Sequence, residues 1–203
     1  MRRIAADTCF DVAFWLIDRA LDDNEYLQPQ KLHRLLFLSQ AYFAVATHGR
    51  KLMPGTFVAD PQGPLEPTLY RAFENGRPQV DTRKPPDDAR QLLDSVWRKF
   101  GAHSAEHLSK LTRSHPPYRD AFASGGAGEE ITLKAMMDYY GRKPTAAETA
   151  AAKTVPTAAG VPAGEAPGLT EVLRPRVMRS QTGKPVSVHK WMPKPLGDRS
   201  GDE

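Results

Sequence analysis

Histidine and glutamate residues at 103–107 are the first candidates for chemistry in this chain of 203 residues. The segment reads His103-Ser104-Ala105-Glu106-His107 and matches the H-x-x-E-H zinc pattern of inverzincins. In that pattern both imidazoles must project from one face of a single helix. Ser104 predicts a helix start inside the motif, which places His103 before the cap and His107 after it. We therefore interpret the match as accidental, with a metalloenzyme using His103 and His107 as the alternative.

The other side chains with reactive groups do not form a catalytic pattern. Cys9 is the single cysteine, which excludes an internal disulfide framework and predicts a small buried hydrophobe. His33, His48 and His115 are scattered, and we assign them structural roles, with His33 on the solvated side of its helix. The glycine-rich run at 125–128 lacks the preceding strand and the following Lys-Ser/Thr of a phosphate loop. These observations predict a protein that is not an enzyme and holds no cofactor or metal.

The elements that position these residues are predicted to be helical. Apolar residues recur at three-and-four spacing, and proline, serine and glycine mark the ends. The one strand signal is short and irregular, at 56–59. The predicted class is therefore all-α: a compact multi-helix domain with at most a short irregular β segment, followed by a disordered C-terminal tail. The predicted helices span residues 8–21, 29–48, 63–76, 87–100, 104–113, 118–122 and 132–140, and the second is expected at the centre of a bundle.

Composition divides the chain into three parts. Residues 1–142 form the helical domain, 143–168 an Ala/Pro/Gly-rich stretch that we expect to be a flexible linker, and 169–203 a basic tail. With nine basic and six acidic residues from 143 onward, the end of the chain carries +3 of the total net charge of +4. The apolar run at 12–17 is too short for a signal-peptide core or a membrane span, so we expect a cytoplasmic protein.

The tail alternates apolar and basic side chains between prolines, as linear binding segments do. Residues 172–196 contain six basic residues and no acidic one. Buried tryptophan and arginine often dominate binding energy, so a partner contact is predicted here. Two alternatives stay open: a poorly ordered tail without a role, and binding to nucleic-acid phosphates. The predicted partner-binding residues are Leu173, Arg174, Arg176, Val177, Met178, Arg179, Lys190 and Trp191.

Several sequence patterns occur in a fixed order across residues 8–141. A helix motif reads Lys31-Leu32-His33-Arg34-Leu35-Leu36-Phe37, with Gln40-Ala41-Tyr42 after it. A Gly-Pro element follows as Gly63-Pro64-Leu65 with Tyr70. Later elements are Leu108-Ser109-Lys110-Leu111-Thr112-Arg113, Pro117-Tyr118 with Ala121, and Ile131 with Tyr139-Tyr140. In this order and spacing they resemble the Panacea antitoxin domain, whose best-known branch is the SocA-like proteins; Arg113 and Tyr118 depart from that family's histidine and tryptophan.

The resemblance implies an antitoxin that binds a cognate protein toxin. In the SocA-like type the antitoxin is a proteolytic adaptor, which presents the toxin to the ClpXP protease. The segment 172–179 is similar to the Leu-Arg-rich peptides with which adaptors dock the unfoldase ClpX. A folded domain, a linker and a short tail would raise the local concentration of the toxin at the protease. Nucleic-acid regulation through the basic tail is the alternative function.

Overall fold

The computed structural model describes residues 4–142 and 166–174, together with the backbone of 178–179 and 185–186. The fold is mostly helical, and the all-α prediction is corrected in one respect, because a three-stranded antiparallel sheet accompanies the helices. No helix in the described residues combines the length and apolar character that a membrane span requires. The helices are α1 (Cys9–Asp22), α2 (Pro29–Ala46), α3 (Pro67–Phe73), α4 (Asp87–Phe100), α5 (Ala105–Ser114), α6 (Pro116–Gly125), α7 (Leu133–Tyr140) and α8 (Leu169–Val172). The strands are β1 (Phe57–Asp60), β2 (Gly63–Leu65), β3 (Glu130–Ile131), β4 (Met178–Arg179) and β5 (Pro185–Val186).

Helix α2 runs through the centre of the helical part, as its wide apolar arc predicted. Pro29 occupies the first helical turn, where the missing N–H has no helical partner. Every residue from Lys31 to Ala44 is buried. The helix packs against α1, α4, α5 and α7. The polar side chains of this central helix therefore lie inside the protein, and each needs an internal hydrogen-bond partner.

The sheet has β1 in the middle, with β2 and β3 antiparallel on either side. Val58 lies opposite Leu65 on β2, and Phe57 lies opposite Ile131 on β3. Phe57 and Ile131 are both buried, so this pair joins the sheet to the helical core. The short strand predicted at 56–59 is confirmed within one residue.

The third helix begins later than the sequence predicted. Residues Gly63–Leu65 form β2 instead of a first helical turn, because Gly63 has a φ of +126°, which a right-handed helix does not allow. The helix starts only at Pro67, after the side chain of Glu66 has accepted a hydrogen bond from the Leu69 N–H. A buried acidic cap therefore decides where α3 begins.

The following helices agree more closely with their predicted limits. Helix α4 spans the predicted residues 87–100, and Ser104 caps α5 as expected. Helix α6 is longer than the single turn predicted at 118–122. Pro116 and Pro117 open α6, because prolines in a first turn lack only N–H groups that have no helical partner.

The chain returns to the helical bundle after residues 143–165, which lie outside the described residues. Residues 166–173, which we call the arm, contain α8 and pack against α2 and α4. Contacts along the chain divide it into two units, Met1–Leu173 and Arg174–Glu203. This boundary differs from the predicted ones at 142 and 168, since the arm belongs to the first unit. The predicted linker is described only at its last residues, 166–168.

The described part of the second unit is a pair of short strands. The backbone of β4 runs antiparallel to β5, with Met178 opposite Val186 and Arg179 opposite Pro185. The predicted disorder of the tail stays a prediction, since the other residues after Arg174 lie outside the described ones.

Candidate protein-binding surfaces

His103 and His107 lie closer together than the sequence predicted. The hydroxyl of Ser104 accepts a hydrogen bond from the His107 N–H at 3.1 Å, so His103 does precede the helix. The two imidazole rings nevertheless stack, with centroids 4.5 Å apart and planes inclined by 20°. Among the described residues, no group of three or more His, Cys, Asp or Glu side chains could hold a metal ion. The expectation that the rings point apart is wrong, but two ligands alone do not make a zinc-protease centre.

Cys9 behaves as the buried hydrophobe that the sequence predicted. Its side chain is part of the hydrophobic core. Burial, with a smaller effect of the Glu66 carboxylate, raises the pKa of its thiol to about 11. Because the thiolate is the nucleophilic form, a thiol with this pKa is unreactive at neutral pH.

The guanidinium of Arg34 joins three segments of the chain. It donates to the Pro64 carbonyl at 2.7 Å, to the Gln62 carbonyl at 2.5 Å and to the Ser109 hydroxyl at 3.1 Å. Only 3% of Arg34 is exposed. Burial lowers its pKa to about 10, so the side chain stays charged at neutral pH. We call these four residues the Arg34 cluster; its charge-assisted bonds hold the turn between β1 and β2 against α2 and α5.

Gly63 leaves the space that the Arg34 guanidinium occupies. A Cβ atom at this position would lie 2.7 Å from Nε of Arg34, which is closer than real Cβ contacts. The positive φ of Gly63 also disfavours any other residue. The Gly63-Pro64 element therefore has a packing explanation: the glycine makes room for the arginine, and the proline supplies a carbonyl to it.

Two histidines are buried in the neutral form, and this corrects the prediction that His33 is solvated. Nδ1 of His33 accepts a hydrogen bond from the Glu66 N–H at 3.3 Å, and burial lowers its pKa to about 4. Nδ1 of His115 lies 2.8 Å from the Tyr140 hydroxyl, and burial lowers its pKa to about 3. Both histidines connect separate elements of the fold, and neither opens into a cleft with a second reactive group.

Lys31 is also buried and uses its ammonium group in the fold. It donates to the Gly101 carbonyl at 2.5 Å and forms an ion pair with Glu25. Its nitrogen lies 5.7 Å from the centroid of the Trp97 ring. The lysine that opens the predicted family motif thus ties α2 to the end of α4.

Among the residues of the family-like pattern, Tyr70 and Arg113 are exposed and Tyr118 is buried. Tyr70 on α3 is 52% exposed, and its ring centroid lies 6.2 Å from that of His33. Arg113 on α5 is exposed as well. Tyr118 is buried, and its hydroxyl donates to the Asp60 carbonyl at 2.6 Å. The departure at Tyr118 therefore concerns packing, whereas the departure at Arg113 changes the surface.

Arg113 lies in an open groove beside the Arg34 cluster, which we call the polar groove. A hydrogen bond of 2.7 Å between the side chains of Gln30 and Gln62 spans its entrance region. The groove mixes amide, hydroxyl and opposite charges and contains no buried reactive pair. It suits contacts with a polar protein surface better than a small apolar ligand. Its lining includes Gln28, Gln62, Glu106, Ser109 and Arg113.

The arm occupies a second surface, the arm groove, formed by α2, α4 and the end of α7. The Tyr42 hydroxyl donates to the Pro167 carbonyl at 2.7 Å, and the Tyr139 hydroxyl accepts from the Ala166 N–H at 3.3 Å. Burial raises the pKa of Tyr42 well above its usual range, so its hydroxyl keeps its proton. The side chain of Val172 is 2% exposed.

Among the described residues, one ion pair joins the arm to the bundle, between Lys99 and Glu171. Their side chains remain 24% and 40% exposed, and such pairs contribute about 0–1 kcal/mol. Few side chains of the arm are fully buried, and its helix has a single turn. A segment with so few buried contacts belongs to the least stable part of a fold.

The predicted partner-binding residues are only partly described. Leu173 and Arg174 are exposed, and Met178 and Arg179 lie in β4. The segment 172–179 begins at Val172, whose side chain the bundle buries, and the sequence analysis did not predict this burial. The signal that could have indicated it was the apolar pair Leu169 and Val172, one helical turn apart after Gly168. Arg176, Val177, Lys190 and Trp191 lie outside the described residues.

Comparisons with protein-family models, with curated proteins and with solved structures return no match for this chain.

Proposed function

We propose that this protein is an antitoxin that binds and neutralises a cognate protein toxin. The supporting observation is the Arg34 cluster. Arg34 lies inside the helix motif of the Panacea-like pattern, at a position that the motif leaves open. Its guanidinium bonds the Pro64 carbonyl and the Ser109 hydroxyl, which belong to two later elements of the pattern. Contacts between distant parts of the pattern support a shared fold, from which the antitoxin function is proposed.

The absence of catalysis is part of the same proposal. The buried ionisable groups of α2 are Lys31, His33, Arg34 and Tyr42. Each is bonded to a backbone group of another segment. A catalytic centre needs such groups to converge on space that a substrate can enter. These groups contribute instead to holding the fold together, which suits a protein that works by binding.

The toxin-binding surface that we propose includes the exposed side chain of Tyr70 and the polar groove with Arg113. Tyrosine and arginine are the residues most enriched at the energetic centres of protein interfaces. Tyr70 matches the family-like pattern although it is exposed, so packing in the core does not account for it. Arg113 departs from the pattern and is exposed, so this protein presents its own side chain at that position. The mixed charges of Glu106 and Arg113 would give register and specificity more than affinity.

Delivery of the toxin to ClpXP is the finer part of the proposal. In this arrangement the helical domain holds the toxin, and the residues after the arm contact the protease. Tethering raises effective concentration without a large new interface. The basic and apolar residues from Leu173 to Arg179 are the proposed contact with the unfoldase.

The test of binding uses a toxin identified by copurification from the native host. Arg113→Glu with Tyr70→Ala is expected to weaken toxin binding at least about tenfold in a pull-down titration. The matched control is Lys134→Glu, which changes the same charge on the exposed surface of α7, where Lys134 pairs only with Asp138. Equal binding by both variants and the wild type would show that this surface is not the interface.

The test of delivery uses a chain that ends at Leu173, which keeps the arm and removes residues 174–203. Toxin binding in vitro is expected to be unchanged, while the toxin's half-life in cells lengthens severalfold. If the half-life stays the same, the tail has no part in degradation, although the antitoxin proposal survives. If binding itself is lost, the tail belongs to the toxin interface.

Nucleic-acid binding through the tail is the alternative, and one observation favours it: the run of basic residues without an acidic one at 172–196. Contacts to phosphates weaken linearly in the logarithm of salt concentration. Gel shifts with duplex DNA at low and moderate salt would detect this. No shift at low salt with the full chain removes the alternative.

A further inference from the structure

Two hydrogen bonds join the arm groove to the backbone of the arm. The Tyr42 hydroxyl donates to one carbonyl, that of Pro167, and the Tyr139 hydroxyl accepts from the neighbouring N–H, that of Ala166. Main-chain bonds of this kind fix the position of a peptide without reading its side chains. Tyrosines are well suited to the task, because each presents a hydroxyl on a rigid ring.

The tyrosines that make these bonds are held firmly by the bundle. Tyr42 is fully buried and packs on Phe100 and Tyr140, with ring centroids 6.1 and 5.2 Å away. The ring of Tyr139 packs edge-on against Tyr140 at 5.0 Å. The two hydroxyls therefore keep their positions whichever peptide lies in the groove, which is the preorganisation that a binding site requires.

Two further contacts give the groove a preference among peptides. Val172 is buried, so the groove accepts a branched apolar side chain at this position. Lys99 pairs with Glu171 directly before it, so a carboxylate is favoured there. Leu169 packs on the core one helical turn earlier. The groove therefore favours a peptide that forms a single helical turn. Such a peptide has two apolar residues three positions apart and an acidic residue directly before the second apolar one.

The arm is attached by more chain than its position requires. The Arg142 guanidinium carbon lies 4.2 Å from the centroid of the Tyr139 ring, and the Ala166 N–H bonds the hydroxyl of the same tyrosine. The two described residues that residues 143–165 connect, Arg142 and Ala166, thus lie beside one side chain. A connection needs only a few residues to span such a gap. The remaining length allows the arm to leave the groove while the chain stays intact, at little cost in loop closure.

We propose that the arm groove is a peptide-binding site, with the arm as its intramolecular occupant and an apolar-acidic peptide of a partner protein as its competitor. Displacement of the arm exposes the side chain of Val172, the first residue of the segment 172–179. Binding at the groove is therefore coupled to exposure of Val172. The inference goes beyond toxin neutralisation and stands whether or not the antitoxin proposal is correct.

The first experiment opens the groove in the full chain by Val172→Asp. The probe is a fluorescein-labelled synthetic peptide of residues 165–174, titrated by fluorescence polarisation. It is expected to bind the variant at least about tenfold more tightly than the wild type, because the attached arm competes at an effective concentration on the order of millimolar. Leu173→Asp is the matched control: its side chain is already exposed, so the groove stays occupied and the affinity stays at the wild-type value.

The second experiment tests the carboxylate preference by exchange of charges. In the Val172→Asp chain, Lys99→Glu is expected to weaken binding of the probe severalfold. A probe carrying lysine at the position of Glu171 should then bind the Lys99→Glu chain better than the unchanged probe does. Recovery by the reversed pair identifies a direct contact, which a general loss of stability would not produce.

Three results would overturn the proposal: equal affinity of the probe for wild type and Val172→Asp, no binding to a Val172→Asp chain that melts like the wild type, and no effect of Lys99→Glu. If Val172→Asp lowers the melting temperature markedly, a second variant of the protein is used in its place. This variant carries a protease recognition sequence within residues 143–165 and is cut there. The cut changes none of the described contacts of the arm. The labelled probe is expected to exchange into the cut protein, and failure to exchange refutes the inference.

Discussion

The Arg34 cluster and the arm groove both use polar side chains of the bundle to bind backbone groups of another segment, but the side chains differ in charge. At the Arg34 cluster one buried cation satisfies two carbonyls and a hydroxyl. In the arm groove two neutral hydroxyls make one bond each, and the ion pair between Lys99 and Glu171 is partly exposed.

This difference explains how one bundle can hold two segments with unequal strength. A buried charge that loses its partners is left without solvent or counter-charge, so the turn that carries Gln62 and Pro64 is strongly retained. A neutral hydroxyl can exchange one backbone partner for another or for water at a lower cost than a charged group can. Permanent structure and exchangeable contact thus follow from the charge of the side chain that makes the bonds.

The largest effect should come from removing the cation of the permanent site. Arg34→Ala leaves two buried carbonyls without donors and creates a cavity, and we expect a loss of about 3–5 kcal/mol in the free energy of unfolding. Urea denaturation followed by circular dichroism measures it. A loss below about 1 kcal/mol would mean that water replaces the guanidinium and that the cluster is not a structural centre.

The glycine that makes room for Arg34 offers a sharper version of the same comparison. Gly63→Ala places a Cβ atom against the guanidinium, whereas Gly76→Ala adds one at a φ of +97° with no atom within 4 Å. Both substitutions carry backbone strain of about 1–2 kcal/mol. The crowding should lower the stability of Gly63→Ala by about 1–3 kcal/mol more, and it has no counterpart in Gly76→Ala.

Thermal melting of the two alanine variants isolates the crowding, because the strain is common to both. Gly63→Ala should melt clearly below Gly76→Ala. Equal melting temperatures would show that Arg34 moves aside freely, which contradicts a rigid Arg34 cluster.

The buried histidines predict that the permanent part of the fold weakens in acid. The pKa of His33 is lowered from 6.5 to about 4, so the unfolded chain binds more protons than the folded one between these values. The stability is complete above pH 6.5 and falls as the pH drops toward 4. From pH 7 to pH 5 the loss should be about 2 kcal/mol for His33, and His115, with a folded pKa of about 3, adds a similar amount.

Substitution of one histidine checks the origin of this acid sensitivity. His33→Gln keeps a side chain that can accept a hydrogen bond but does not titrate. Its free energy of unfolding should fall by about 2 kcal/mol less than that of the wild type between pH 7 and pH 5. An unchanged slope against pH would assign the sensitivity to other groups.

The smallest effect on stability is expected in the arm. Val172→Asp undocks a segment of few buried contacts, so the global free energy of unfolding should change by less than about 1 kcal/mol. Amide hydrogen exchange is the more sensitive measurement: the N–H groups of residues 169–173 should exchange faster, with those of α4 unchanged. A large global loss would place the arm among the permanent parts of the fold.

Local signals in the sequence were sufficient for most helices. The limits of α4 and the serine cap of α5 were predicted because caps, prolines and apolar spacing act within a few residues. The central place of α2 was predicted for the same reason, since a helix that is apolar over a wide arc has to be enclosed. The buried state of Cys9 also followed from its type and spacing.

The sequence alone was insufficient wherever a distant partner decides the outcome. His33 was expected in solvent, but it is buried and its Nδ1 accepts a hydrogen bond from the Glu66 N–H. Residues 63–65 were expected in a helix, but they form a strand that pairs with β1. The stacking of His103 on His107 depends on the path of the chain before α5, which spacing does not specify.

The sequence by itself therefore determined which segments are helical and which of them is central, because those choices rest on interactions between near neighbours. Only the tertiary structure decided that Arg34 joins three pattern elements and that the arm lies on Tyr42 and Tyr139. The contacts of the arm link residues far apart in the chain. Its few apolar side chains can be buried only because the folded bundle provides the groove that they fill.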